Sequence, residues 1–345
     1  TDAPAAEATE TAAPAETAGS GEAAEPQDAA AVFPAAVAMF REEVGIDPLL
    51  GDGGRSYRHR VGELIRQRRT YAVIEEGEVL FKADVGALFG PVAQIHGVWV
   101  RPDRRGHGLG RTAMAELVAQ VRRDHVISHA LAALSTLGTD DLVFFGGTAL
   151  SRTHLPALRL SEDIDLIALG PRAATASAVG KTLSRLLRRS LGRPRFAPPL
   201  EETRDADPST MTIGSVRVQI QLLSASHLPP WPTEVVDLEQ RYSDAPPATM
   251  HVFTPASCAA AKLAAWHDRA APRDLYDLWA LASAGMIDQD AATLFSRSGP
   301  LTSPEAVSFA RLPTPEEWEA ALGHQCRPAV TADEAADAVR RAWVR

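Results

Sequence analysis

The chain has 345 residues, 45% apolar and 23% charged, the composition of a folded globular protein with room for two domains. No apolar run is long enough to cross a bilayer and the N-terminus has neither a basic start nor an apolar signal core, so the expectation is a cytoplasmic protein without a membrane span. The net charge of −9 is concentrated in the first 30 residues, which hold seven acidic residues and no Lys or Arg. The remainder is about −2, so a nucleic-acid partner would need a local basic patch.

The two cysteines, Cys258 and Cys326, are far apart and lack metal-type spacing, which argues against a disulfide framework and a cysteine zinc site. The chain opens at Thr1 rather than Met, as a processed product or a fragment would. Residues 1–31 are Ala, Pro, Glu and Thr with almost no large apolar side chains. Such a segment buries too little surface to offset its ordering entropy, so a disordered tail is expected.

A compact module is expected over residues 32–126. Arg55–Arg69 places Val61, Leu64 and Ile65 among arginines, the pattern of an amphipathic helix. YAVIEEGEVLFKADV reads as a hairpin turning at Glu76-Gly77, and VAQIHGVWV as a further strand. After it come Val100, Arg101, Pro102, Asp103, Arg104, Arg105, Gly106, His107, Gly108, Leu109, Gly110 and Arg111, leading into the helical TAMAELVAQVRR. A strand, a glycine loop and a helix form a pyrophosphate-binding arrangement, because glycines expose successive N–H groups and the helix start adds positive potential.

This stretch resembles the acetyl-CoA-binding motif of the GNAT-superfamily N-acetyltransferases, whose Gln/Arg-x-x-Gly-x-Gly/Ala pattern is matched by Arg105, Gly108 and Gly110. The resemblance implies acetyl-CoA contacts from Val100, Arg105, Gly106, Gly108 and Gly110. GNAT folds continue with another strand, a helix and a closing hairpin. Here the pattern changes after Arg123, so the module is expected to be partial.

Residues 127–345 read as a second module. Ile127–Leu137 suits a helix, and LVFF (Leu142–Phe145) a buried strand followed by a Gly146-Gly147-Thr148 turn. A second strand carries Asp163 and Asp165, two residues apart and hence on one face. Two carboxylates flanked by Ile164, Leu166 and Ile167 repel each other unless a cation sits between them. Beside a glycine turn that offers backbone N–H groups to phosphate, this is the donor set that holds Mg²⁺. Ala174–Leu191 is expected to be a helix with an apolar stripe and a basic set, Lys181, Arg185, Arg188 and Arg189. That set reads equally as an RNA-binding patch or as a solvated helix face.

Met211–Leu223 alternates as one half-buried strand, HLPPWPTE as a loop. Thr254-Pro255 marks a helix start, and that helix carries Lys262 and Arg269 seven apart. A second helix, Arg273–Ala282, carries Asp274 and Asp277 side by side. EEWEAAL and DEAADAVRRAWV read as further amphipathic helices, giving a helical C-terminal region from about residue 254.

Taken together, GGTAL, then Arg159 to Leu166, then Lys262 to Arg269, then Arg273 to Leu278 resemble the AbiEii/AbiGii nucleotidyltransferase toxins, which include the MenT toxins. The resemblance covers about residues 127–300. It implies an α/β (α+β) chain in which the partial GNAT-like module precedes a polymerase β-like nucleotidyltransferase fold. It also implies a toxin of a toxin–antitoxin or phage-defence type system, with Mg²⁺-dependent transfer of a nucleotide from an NTP, a tRNA 3′ end as acceptor for some members, and a cognate antitoxin as partner. On that basis Gly146, Gly147 and Thr148 hold the triphosphate and Asp163 and Asp165 the metal. Lys262 contacts the triphosphate, Asp274 assists the nucleophile or the metal, and Arg159 and Ser161 position the strand or the nucleotide. Polymerase β-like enzymes commonly draw a third metal carboxylate from a later strand, where this chain offers Gln219 and Gln221. Two other readings stand beside this one: an acetyl-CoA-dependent N-acetyltransferase, and a non-catalytic fusion that binds nucleotide or a partner.

Overall fold

The computed structural model describes residues 22–344 apart from 90, 91, 139, 140, 157, 206 and 324. It is a mixed α/β structure with two sheets. The first module runs β1 (Glu22–Ala23), α1 (Ala29–Val44), α2 (Arg55–Arg66), β2 (Thr70–Glu75), β3 (Glu78–Phe89), β4 (Val92–Val100) and α3 (Leu109–Leu134). Its strands pair antiparallel in the order β1-β2-β3-β4. The β2–β3 hairpin turns where expected, with Glu76 and Gly77 both at positive φ, as a tight two-residue turn requires.

The expected tail boundary moves. Residues 1–21 lie outside the described residues, but 22–31 include β1, a 3-10 turn at Pro26–Asp28 and the start of α1. Ala23 is buried among Tyr71, Val73 and Leu117, because small side chains suit a strand packed closely against a neighbour. Composition alone hid this pairing.

Alternation along β2 sends Tyr71 and Val73 to one face, against Ala113, Leu117 and Val121 of α3, and Ala72 to the other, against Val32, Phe33, Val61 and Ile65 of α1 and α2. Among the described residues β4 pairs only with β3. No later strand among the described residues closes against it.

The expected break between two helices near residue 124 is not observed. α3 is one continuous 26-residue helix. Its first half puts Leu109, Ala113, Leu117 and Val121 into the first core. Its second half puts Val126, Ile127, Ala130, Leu131 and Leu134 into the core of the second module. No Gly or Pro interrupts residues 111–134, so the backbone has no reason to stop.

The second module contains β5 (Leu142–Phe145), α4 (Gly146–Arg152), β6 (Asp163–Ala168), α5 (Arg172–Ser190), β7 (Arg195–Ala197), β8 (Ser209–Ile213), β9 (Val216–Ser224), β10 (Thr233–Asp237) and β11 (Thr249–Phe253). The helical part follows, with α6 (Pro255–Arg269), α7 (Pro272–Ser283), α8 (Gln289–Ser298), α9 (Pro315–Leu322) and α10 (Ala332–Trp343). The strand order is β10-β11-β5-β6-β9-β8-β7. Met211–Leu223 is two strands rather than one, because Gly214 at φ +57 turns the chain back on itself. The end of HLPPWPTE belongs to β10 rather than to a loop.

One face of this sheet, with Phe144, Ile164, Leu166, Ile220 and Leu222, packs on α3 and α5. The other, with Val143, Ile167 and Phe253, packs on α6, α7 and the helices after them. Thr254 caps α6 as expected, its hydroxyl oxygen accepting from the Ser257 N–H at 3.2 Å. No described helix is long and apolar enough to cross a membrane.

Because α3 is shared by both cores, breaking it should weaken both. Arg122 is exposed within it, and proline there removes a helix hydrogen bond and clashes with the preceding turn, at a cost of about 3 kcal/mol or more. Arg122→Pro is expected to lower the urea midpoint of one cooperative transition, followed by circular dichroism and tryptophan fluorescence. A loss below about 1 kcal/mol, well under the usual cost of an interior proline, would contradict the shared-helix description.

Candidate active site

The site follows from the two-residue period of β6. Asp163, Asp165 and Ile167 share a face, and Ile167 lies in the core formed with α6 and α7. Both carboxylates therefore project toward the helices that carry Lys262, Arg269 and Asp274. β5 runs antiparallel to β6 with Phe145 opposite Asp165, so the chain leaves β5 and enters the glycine turn directly beside that carboxylate.

Gly146 has φ +81, and a Cβ built on it would lie 2.1 Å from Asp165 Oδ2. Glycine there is required both by the backbone and by the carboxylate filling the space a side chain would take. A Cβ on Gly147 would lie 2.9 Å from Arg159 Nη2 and 3.0 Å from Ser161 Oγ. The glycine pair thus lets β6 and the preceding segment close against α4. Thr148 is buried and its hydroxyl donates to the backbone carbonyl of Asp163, tying α4 to the start of β6.

Opposite the carboxylates lies a chain of ion pairs. Arg159 binds Asp277 through two hydrogen bonds of 2.9 Å each and donates to the Gln325 side chain. Lys262 Nζ is 2.6 Å from Asp277 Oδ2 and 3.1 Å from Asp274 Oδ1. Arg269 grips Asp274 through Nε at 2.7 Å and Nη2 at 3.0 Å. Asp274 and Asp277 are fully buried, so each carboxylate needs its cations, and losing one leaves an uncompensated charge.

Burial pushes the Asp165 carboxyl up to about 6, helped by the neighbouring Asp163 and opposed by Lys262, Arg269 and Arg159. Burial raises Asp163 as well, against Arg273, Arg123 and Arg159. Asp274 behaves oppositely: burial works against its charge, but Lys262 and Arg269 prevail and hold it down at about 2. Burial also opposes the charge on Lys262, yet Asp277 and Asp274 raise its pKa and keep it an ammonium.

The structure thus brings Gly146, Gly147, Thr148, Arg159, Ser161, Asp163, Asp165, Lys262 and Asp274 into one region. Gln219 and Gln221 stand on β9 directly opposite Asp163 and Asp165 in parallel register, on the strand where a third carboxylate was sought. Lys181, Arg185, Arg188 and Arg189 are exposed on α5, which covers the other face of the sheet, away from the carboxylates.

Four contributors escaped the sequence reading as site residues. Asp277 is the hub between Arg159 and Lys262, Arg269 holds Asp274, and Arg273 and Arg123 bear electrostatically on Asp163. Arg123 comes from α3, where it pairs with Glu162. The seven-residue spacing of Lys262 and Arg269 and the three-residue spacing of Asp274 and Asp277 were the available signals.

In the first module, Gly106 and Gly108 both have positive φ and Gly108 caps α3. A Cβ on Gly110 would lie 3.0 Å from Val100 Cγ2, so α3 begins tight against the end of β4. The Arg105 guanidinium donates to the Val100 carbonyl at 2.9 Å and to Glu42 at 2.7 Å.

The family model described as nucleotidyl transferase AbiEii toxin, type IV TA system, matches residues 129–341. The acetyltransferase (GNAT) family model matches residues 55–137. Among solved structures the chain is similar to MenT4, a nucleotidyltransferase toxin from Mycobacterium tuberculosis H37Rv. That match has 24% identity and a TM-score of 0.51, covering 66% of this chain and 84% of that one, a likeness of fold. No curated protein matches the chain.

The raised Asp165 carboxyl has a consequence for stability. A carboxyl whose pKa rises on folding costs the folded state nothing below its unfolded value near 4. It costs progressively more as pH rises through about 6, and the cost persists above that. In chelator, Asp165→Asn is expected to stabilise the protein at pH 8 by on the order of 2 kcal/mol and to change it little at pH 4. Denaturant midpoints at the two pH values check this, and an equal effect at both would contradict it.

Proposed function

Because the chain belongs to the AbiEii nucleotidyl transferase toxin family, we propose that it transfers a nucleoside monophosphate from an NTP to an acceptor hydroxyl in an Mg²⁺-dependent reaction. The hydroxyl oxygen bonds to the α-phosphorus and gives up its proton to solvent, the bond from the α-phosphorus to the bridging oxygen of the β-phosphate breaks, and pyrophosphate leaves. The observation that carries the reading is the same-face pair Asp163 and Asp165, set against Gly146-Gly147 and facing the cations Lys262, Arg269 and Arg159.

The donor set fits Mg²⁺. Two carboxylates of hard oxygen character lie on one face, and the pKa of each is raised by burial, a strain that a divalent cation relieves. Held by Asp163 and Asp165, the ion would supply charge neutralisation on the phosphates. Lys262, held as an ammonium by Asp274 and Asp277, keeps a donor for the triphosphate. The Gly147 and Thr148 backbone lies beside the carboxylates to receive phosphate oxygens. Asp274, at about 2, is too weak a base to take the acceptor's proton, and its proposed role is to orient Lys262 and Arg269. Arg159 and Ser161 position the glycine turn.

The acceptor class proposed is RNA, a tRNA 3′ end first. Arg273 and Arg123, beside Asp163, are better placed for its phosphates than the patch on α5. A cognate antitoxin is the expected protein partner. The acetyltransferase reading is not favoured, since β4 is left at a sheet edge.

The purified chain is expected to transfer label from at least one NTP to total tRNA. Asp163→Ala is expected to lose at least about 100-fold in rate, the order expected when several kcal/mol of charge stabilisation disappears. Expression of the unaltered chain in a bacterial host should arrest growth, and that of Asp163→Ala should not. No labelled product with any NTP across RNA and protein acceptors would refute the reading.

A further inference from the structure

Away from the transferase site, three side chains converge where the two modules meet. His125 and His129 are one turn apart on α3 and share a face. Asp244 lies in the segment between β10 and β11. His125 Nε2 is 3.0 Å from Asp244 Oδ2 and 3.1 Å from Oδ1. His129 Nε2 is 3.2 Å from the same Oδ2 and 3.2 Å from His125 Nε2. Two nitrogens and one oxygen therefore form a nearly equilateral triangle.

Hydrogen bonding alone accounts poorly for that triangle. If both Nε2 atoms carry protons, both serve the carboxylate but two N–H groups oppose each other. If only one does, a bare nitrogen faces a carboxylate lone pair. A metal ion satisfies all three edges together. With bonds of about 2.0–2.1 Å, ligands of Zn²⁺ sit about 3.3 Å apart at tetrahedral angles and about 2.9 Å apart at right angles, bracketing the observed spacing.

We propose that His125, His129 and Asp244 bind a divalent cation of the Zn²⁺ class. Two imidazole nitrogens with one carboxylate suit Zn²⁺ and are unlike the all-oxygen sets that take Mg²⁺ or Ca²⁺. The imidazoles are 12% and 6% exposed and the carboxylate 23%, so the site is walled by the helix and open on the Asp244 side, where a solvent ligand completes the shell. The Tyr242 ring stands edge-on to His125 at 4.9 Å and its hydroxyl donates to the Val121 carbonyl at 3.0 Å, which fixes the approach of the segment.

The position gives the cation a role. Tyr242 and Ala245 are buried in the core of the first module, while the same segment leads from β10 into β11 of the transferase sheet. The neighbouring Asp124 receives Arg152, at the end of α4, at 2.7 Å and Arg241 at 3.2 Å. A cation on His125, His129 and Asp244 clamps this segment to the shared helix, next to the ion pair that anchors the active-site helix.

The test uses the full chain freed of metal by chelator dialysis, then given Zn²⁺ alone. One Zn²⁺ per chain is expected by native mass spectrometry, with submicromolar affinity against a chromophoric chelator, undisturbed by excess Mg²⁺. Asp244→Asn and His129→Gln, each checked for native circular dichroism, should weaken Zn²⁺ by at least about tenfold. Co²⁺ with the unaltered chain gives a readout that needs no variant: visible d–d bands of imidazole-bound Co²⁺ are expected. No Co²⁺ bands, no stoichiometric Zn²⁺, or unchanged Zn²⁺ affinity in both folded variants would overturn the proposal and leave a hydrogen-bonded cluster.

Discussion

The close approach of the Asp165 carboxylate to Gly146 is the constraint on which the site depends. Oδ2 occupies the place a side chain on residue 146 would take, so the turn after β5 and the carboxylate of β6 are built around each other. The same closeness lets Arg159 and Ser161 pack on Gly147. The result is a buried carboxylate pair whose charge the fold opposes by desolvation. Buried Arg159, half-buried Lys262 and the more exposed Arg269 face it, paired with Asp277 and Asp274. Each buried charge is tolerable because its partner is held by a second cation or by Gln325.

The second organising feature is α3. A helix that carries the apolar stripe of one core and then of another makes the two modules parts of one structure. It also explains why the family matches overlap at residues 129–137. The acetyltransferase-like half ends in the transferase instead of in its own closing strands, which leaves β4 at an edge. In exchange, α3 brings Arg123 toward Asp163 and His125 and His129 toward Asp244. The first module thus reaches the transferase through its last helix.

Much of this was legible in the residues, and the rest was hidden for physical reasons. The two-residue period of Asp163 and Asp165, the glycine pair and the Thr254-Pro255 cap are local signals, and local structure followed them. The β1 pairing was masked because Glu22 and Ala23 carry no strand propensity of their own; the neighbouring strand supplies the reason to be extended. Gly214 lies inside an alternating run that reads as one strand, although one glycine at positive φ suffices to make a hairpin. Asp277 became a hub only through Arg159, 118 residues away, a contact that no spacing encodes. The basic set on α5 is exposed, as a patch and a solvated face alike require, but its side of the sheet depends on which face α5 covers. The His125, His129 and Asp244 triangle was invisible to an argument from cysteine spacing, because its third member comes from a distant segment.

The central proposal is that Asp163 and Asp165 are a metal-and-nucleotide site rather than a buried acid pair. The most direct measurement is binding of Mn²⁺, in place of Mg²⁺, to the zinc-free chain in the presence of a non-hydrolysable NTP, followed by electron paramagnetic resonance. Nucleotide-dependent Mn²⁺ binding in the unaltered chain and its loss in a folded Asp165→Asn variant is the expected result. Equal Mn²⁺ binding in the two proteins, with or without nucleotide, would contradict the assignment.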